Sequence, residues 1–261
     1  MAALLGTEYF SLLIVNFHLV RGYMIKYSVI HCAASVLSGL SKYHEDLTIE
    51  VVDNVLEDIR SALEVPDPRL NQRRIAQIRY LGELYNYHMI NSGVIFSTLY
   101  SLITFGVSAD PLSQFSPLDT PENLIRLRLV SVLLDTCGCF FDRGSSKKKL
   151  DAFLQYFLRY FFWKKELYFL AGQEFPLGMD HLVRDTIESL RPKLKMPVTL
   201  EECLAQVEKI EIEAMQKLES MGINNEEENE DGLRAITEQE TFICLLLLKC
   251  KFKKSINRST V

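Results

Sequence analysis

The chain has 261 residues, 48% of them hydrophobic and 24% charged, with a formal net charge of −5. That mixture is enough for a substantial core and excludes the disordered and fibrous classes. The acidic balance argues against a general nucleic-acid binder and leaves RNA contact to local basic patches.

The longest uncharged stretch near the start, Tyr9 to Val20, has 12 residues, whereas a membrane helix needs about 20. No basic n-region marks a signal peptide there, so no membrane association is expected. The six cysteines at 32, 137, 139, 203, 244 and 250 form neither a disulfide framework nor a zinc set. Reduced, mostly buried thiols are expected, as in a cytosolic or nuclear protein.

The elements read as helices in chain order. Over 24–40, Ile25, Val29, Cys32, Ala33, Val36, Leu37 and Leu40 recur at three- and four-residue steps. Over 45–64, Ile49, Val52, Leu56, Ile59 and Leu63 do the same, and Pro66 and Pro68 end the run. Helices follow over 69–88, with Leu70, Ile75, Ile78, Leu81 and Leu84, and over 91–106, with Asn91 as the N-cap. The stretch 106–121 contains Gly106, Pro111, Pro117 and Pro121 and reads as a loop, in which Asp119 or Thr120 caps the next helix. Helices over 122–141 and 149–169 come next, the second striped with Leu150, Phe153, Leu154, Phe157, Leu158, Phe161 and Phe162. The intervening FDRGSSKKKL reads as a polar interhelix turn. Segments 180–190 and 199–220 complete the set, and Thr199 and Glu202 have capping-box spacing.

No hairpin signal competes, so an all-α fold is expected: a right-handed stack of antiparallel helix pairs, a HEAT-like α–α superhelix. The domain itself spans 24–220. Residues 1–23 are an atypical N-terminal segment, read as an incomplete first repeat. Residues 221–240 are an acidic, disordered linker, with five acids in the eight positions 224–231. Residues 241–261 are an atypical apolar and then basic tail.

Catalytic signatures are missing. No metal spacing joins His18, His31, His44, His88 and His181, and neither a serine elbow nor a phosphate loop is present. A non-enzymatic chain without cofactor or metal is expected.

Charge segregation is more informative. At 100° per residue, Asp53, Glu57 and Glu64 fall within about 40° of one another on one helix, and Glu50 widens the field. Such a ridge suits a positive partner. Two basic sets stand elsewhere: Arg143, Lys147, Lys148, Lys149, Arg159, Lys164 and Lys165 with Tyr160 and Trp163 interleaved, and Arg69, Arg73, Arg74 and Arg79. Either set can meet phosphates or join neighbouring helix pairs.

VVDNVLEDIR (51–60), NQRRIAQIRYLGELYNY (71–87), FDRGSSKKKLDAFLQYF (141–157) and LRPKLK (190–195) resemble the third middle-type domain of the nonsense-mediated mRNA decay adaptors. That domain family is named after the middle domain of initiation factor four gamma, and the likeness covers about residues 24–219. The resemblance implies a protein-binding scaffold whose acidic helix face binds the ribonucleoprotein-like domain of the up-frameshift-three protein, which links it to the exon junction complex. Through VVDNVLEDIRSALE it puts the contacts at Asp53, Glu57 and Glu64, with Glu50 as an accessory. It also implies contact with RNA, for which Arg143, Lys147, Lys148 and Lys149 are the candidates, and with the kinase of the decay helicase. The place of action it implies is cytoplasmic, perinuclear or shuttling to the nucleus. Bridging to the helicase is not expected, because the family's helicase-binding segment is not in this chain. The competing expectation is a helical scaffold of translation initiation or RNA processing that binds an RNA helicase or RNA directly.

Overall fold

The computed structural model describes residues 26–107 and 116–220. The expected N-terminal segment, acidic linker and tail lie outside the described residues, as does the middle of the predicted 106–121 loop. Among the described residues there are eight α-helices and no strand. They are α1 (Ile30–Leu40), α2 (Glu45–Glu64), α3 (Asn71–Asn86), α4 (Ser92–Thr104), α5 (Ile125–Cys137), α6 (Gly144–Leu170), α7 (Leu177–Leu190) and α8 (Leu200–Ser220). The all-α fold of stacked antiparallel helix pairs is as expected.

The described residues divide into two compact units. One holds α1 to α5, α7 and both ends of α6; the other holds residues 148–162 of α6 together with α8. In the first unit α3 is central and packs against α1, α2, α4 and α5, while α5 packs in turn against α7. Gly82 permits the α3–α5 approach, since a Cβ there would lie 2.8 Å from Thr136 Cγ2. One turn further on, Asn86 donates to the Thr136 carbonyl at 3.1 Å. In the second unit, Arg159 of α6 and Glu211 of α8 approach to 3.9 Å.

Helix ends follow local chemistry. The Asn91 side chain accepts from Val94 N at 3.1 Å, the expected N-cap. Thr199 Oγ1 accepts from Glu202 N at 3.3 Å, but the Glu202 carboxylate returns to Val198 N rather than Thr199 N, a capping box displaced by one residue. α3 closes with Met89 N donating to Leu84 O and His88 N to Tyr85 O, the double bond of a Schellman end. α6 closes the same way, Gln173 N to Tyr168 O and Gly172 N to Phe169 O.

Several expectations need correction. The polar turn at 144–149 is the first turns of α6, because GSSKKK contains nothing that breaks a helix once the chain has bent at Arg143. Neither Asp119 nor Thr120 caps a helix. α5 starts at Ile125, whose N–H is met by Asn123 Oδ1 at 3.3 Å, and Asp119 is buried. The apolar stripe of α2 is Leu47, Val51, Val55, Ile59 and Leu63, while Ile49 is exposed. In α1, Ile30, Ala33, Ala34 and Leu37 are buried, while Val29, Cys32 and Val36 face outward. Each sequence offers two overlapping three-and-four patterns, and only the neighbouring helix selects between them.

Candidate functional site

α2 presents two sharply different faces. Val51 and Val55 are sealed, and Leu47, Ile59 and Leu63 extend their stripe along the side packed on the domain. The other side carries Glu50, Asp53, Glu57 and Glu64, all exposed. Eleven residues at 1.5 Å each set Asp53 and Glu64 about 16 Å apart along the axis. All four predicted acidic residues therefore share one solvent-facing side of a helix held by its buried stripe.

This chain's own cations leave that ridge largely unneutralised. Glu57 approaches Arg60 at 4.0 Å, with both side chains at least 70% exposed, and a pair that long and wet contributes little. Glu45 and Asp46 in the first turn complement the helix dipole. Glu64 is the last residue of the helix, where the dipole disfavours an anion, and no basic residue occupies that last turn. A cationic surface docking there turns that local cost into attraction.

Asp58 is the exception among the acids of α2. It faces α3, accepting from Arg73 at 2.9 Å and from the Gln77 amide. The sequence reading missed Arg60, a cation standing within the ridge itself. Its place at i+3 from Glu57 and i−4 from Glu64 was open to the same angular count.

Of the RNA candidates, Arg143, Lys147 and Lys148 are exposed at the start of α6, and Lys149 is half-buried. Arg143 is the N-cap residue, its side chain makes no capping bond, and the first turn of α6 holds no acid. The rest of the two basic sets is occupied internally. Lys164 is fully buried against Asp119, and Lys165 bonds Asp180 at 2.5 Å. Tyr160 and Trp163 are buried, so they offer no stacking face. Arg73 holds Asp58, Arg74 holds the Val65 carbonyl and Asn71, and Arg79 pairs with Glu83 and lies 4.3 Å over the Tyr27 ring. Arg69 caps its own turn through Asp67. This run joins α2 to α3 and does not form a phosphate track.

Burial holds thiols in the uncharged form: it raises Cys137 well above the usual range and Cys203 to about 11. Cys32 and Cys139 are exposed, which corrects the expectation of mostly buried thiols. Among the described residues, no group of three or more His, Cys, Asp and Glu is placed to hold a metal ion, and no helix is long and apolar enough to cross a membrane.

Comparison with known proteins agrees with this geometry. Residues 18–193 match the MIF4G domain family. Over 210 residues the chain is 52% identical to "Regulator of nonsense transcripts 2" of Mus musculus and 51% identical to that of Homo sapiens, covering 80% of this chain and 16% of each relative. Over 187 residues it is 34% identical to "Nonsense-mediated mRNA decay protein 2" of Schizosaccharomyces pombe, covering 68% of this chain and 16% of the relative. The chain thus spans about 16% of the length of these curated relatives.

Proposed function

The chain belongs to the MIF4G domain family, and from that premise we propose that it is a non-catalytic adaptor of nonsense-mediated mRNA decay acting in the cytoplasm. Its α2 ridge binds a basic protein surface, the ribonucleoprotein-like domain of the up-frameshift-three protein, and so links it to the exon junction complex. The observation that carries this reading is the exposed alignment of Asp53, Glu57 and Glu64 on one rigid helix side. Likeness to regulators of nonsense transcripts supports the decay assignment.

The test is a titration of the full chain and its Asp53→Lys, Glu57→Lys and Glu64→Lys variants against that domain, at low and moderate salt. Weakened binding with an unchanged helical circular dichroism spectrum is the expected result. The loss reaches about 2–5 kcal/mol for a contact desolvated on binding, and stays under about 1 kcal/mol at a wet rim. Equal affinity for all four proteins at both salts overturns the reading.

The exposed Arg143, Lys147 and Lys148 favour a second reading, direct RNA contact. Neutralising Lys147, Lys148 and Lys149 then flattens the dependence of RNA affinity on salt, by about one unit of logarithmic slope for each phosphate that no longer meets a cation.

A further inference from the structure

Among the described residues the buried charged side chains are Arg74, Arg126, Lys164 and Asp119, three cations against one carboxylate. Burial of Lys164 works to release its proton. Even with Lys164 neutral, two guanidiniums face a single carboxylate. Unbalanced charge in a protein interior is costly and is ordinarily met by a counter-charge.

The two guanidiniums border one cleft of the first unit, lined by Ile59 and Leu63 of α2, Arg74 and Gln77 of α3, Asn123 of the α4–α5 connection, and Arg126 of α5. Arg126 is saturated by its neighbours: it donates to the carbonyls of Leu102, Phe105 and Leu118, and its Nε stands 3.5 Å from Asp119. Arg74 differs. It donates through Nη1 to Asn71 and through Nη2 to the Val65 carbonyl, but its buried Nε finds no acceptor. Only 4% of Arg74 is exposed. Asp67, the nearest carboxylate influence on it, is bonded to the backbone and side chain of Arg69.

We propose that this cleft is a binding site for one small oxyanion, received by the buried Arg74 guanidinium with the Gln77 and Asn123 amides beside it. The free space is small, on the scale of a single phosphate, sulfate or carboxylate group and not of a nucleotide. Apolar walls lower the local dielectric and strengthen the charge-assisted bond from Arg74. Such a site is independent of what the α2 ridge binds. An anion seated here ties the end of α2 to α3 through Arg74, so occupancy stabilises the domain by mass action.

The experiment is thermal unfolding of the full chain in inorganic phosphate, sulfate and acetate, each against chloride at matched ionic strength. The expected result is a saturable rise in midpoint in at least one arm, which identifies the preferred oxyanion. Arg74→Gln weakens that ligand's apparent affinity by about tenfold or more, and Ala62→Trp, which fills the same cleft without touching its charges, does likewise. A triple Lys147, Lys148 and Lys149 neutralisation leaves it unchanged. No saturable rise in any arm, a rise retained in Ala62→Trp, or a rise abolished by the lysine triple variant overturns the proposal. If Arg74→Gln does not fold, the Ala62→Trp arm decides.

Discussion

Lys164 donates to Asp119 at 2.9 Å with both side chains shut off from solvent, and Arg126 stands 3.5 Å from the same carboxylate. Lys164 also reaches the Thr120 carbonyl at 2.8 Å, so the connection into α5 is tied to α6 within the first unit. Removing the carboxylate strands two buried cations, which costs about 3–5 kcal/mol. Asp119→Ala is therefore expected to lower the urea unfolding free energy by that amount. Lys164→Met is expected to cost less, because Arg126 still answers Asp119. Equal losses, or a loss under about 1 kcal/mol for Asp119→Ala, would contradict this account.

His88 closes α3 at φ +60°, and Gly172 closes α6 at φ +67° with the same pair of end bonds. A side chain in that left-handed conformation costs about 1 kcal/mol, and glycine is spared it. His88→Gly is thus expected to raise stability by up to about 1 kcal/mol in chemical denaturation. A loss of stability would show that the exposed imidazole has a role the end geometry does not reveal.

Asp180 gives a pH dependence. Burial works to raise its carboxyl, but hydrogen bonds from Lys165 and Arg184 outweigh it and hold the group below its ordinary 3.8. The folded state therefore binds this proton less readily than the unfolded chain. The contribution is fully present above pH 3.8 and is lost as pH falls through the lowered folded value. Asp180→Asn is expected to shrink the stability difference between pH 7 and pH 3 relative to the unaltered chain. Parallel pH profiles would count against it.

Arg60 interrupts the acidic ridge at an exposed position. Its replacement by alanine leaves the unfolding midpoint in place, since the exposed pair with Glu57 contributes little. It also makes the ridge more negative. On the proposed function, Arg60→Ala associates faster with the basic partner domain, most clearly at low salt. Slower or unchanged association in stopped-flow mixing would argue against a partner that meets this stretch of α2.

Helical periodicity placed every described helix to within a few residues, and α2 over its whole span of 45–64. The alignment of Asp53, Glu57 and Glu64 was equally legible, because residues on one helix share a side through the geometry of the helix alone. Nor did any motif in the chain give reason to expect catalysis. Which stripe of α1 and α2 is buried was decided by neighbours the local pattern does not contain. The same holds for charge. Lys164 and Asp119 are 45 positions apart, Arg73 and Asp58 are 15 apart, and only packing brings each pair together. In the sequence these cations read as part of basic surface sets. In the folded chain they are interior partners, because an ion withdrawn from water must meet its counter-charge wherever the chain has brought it.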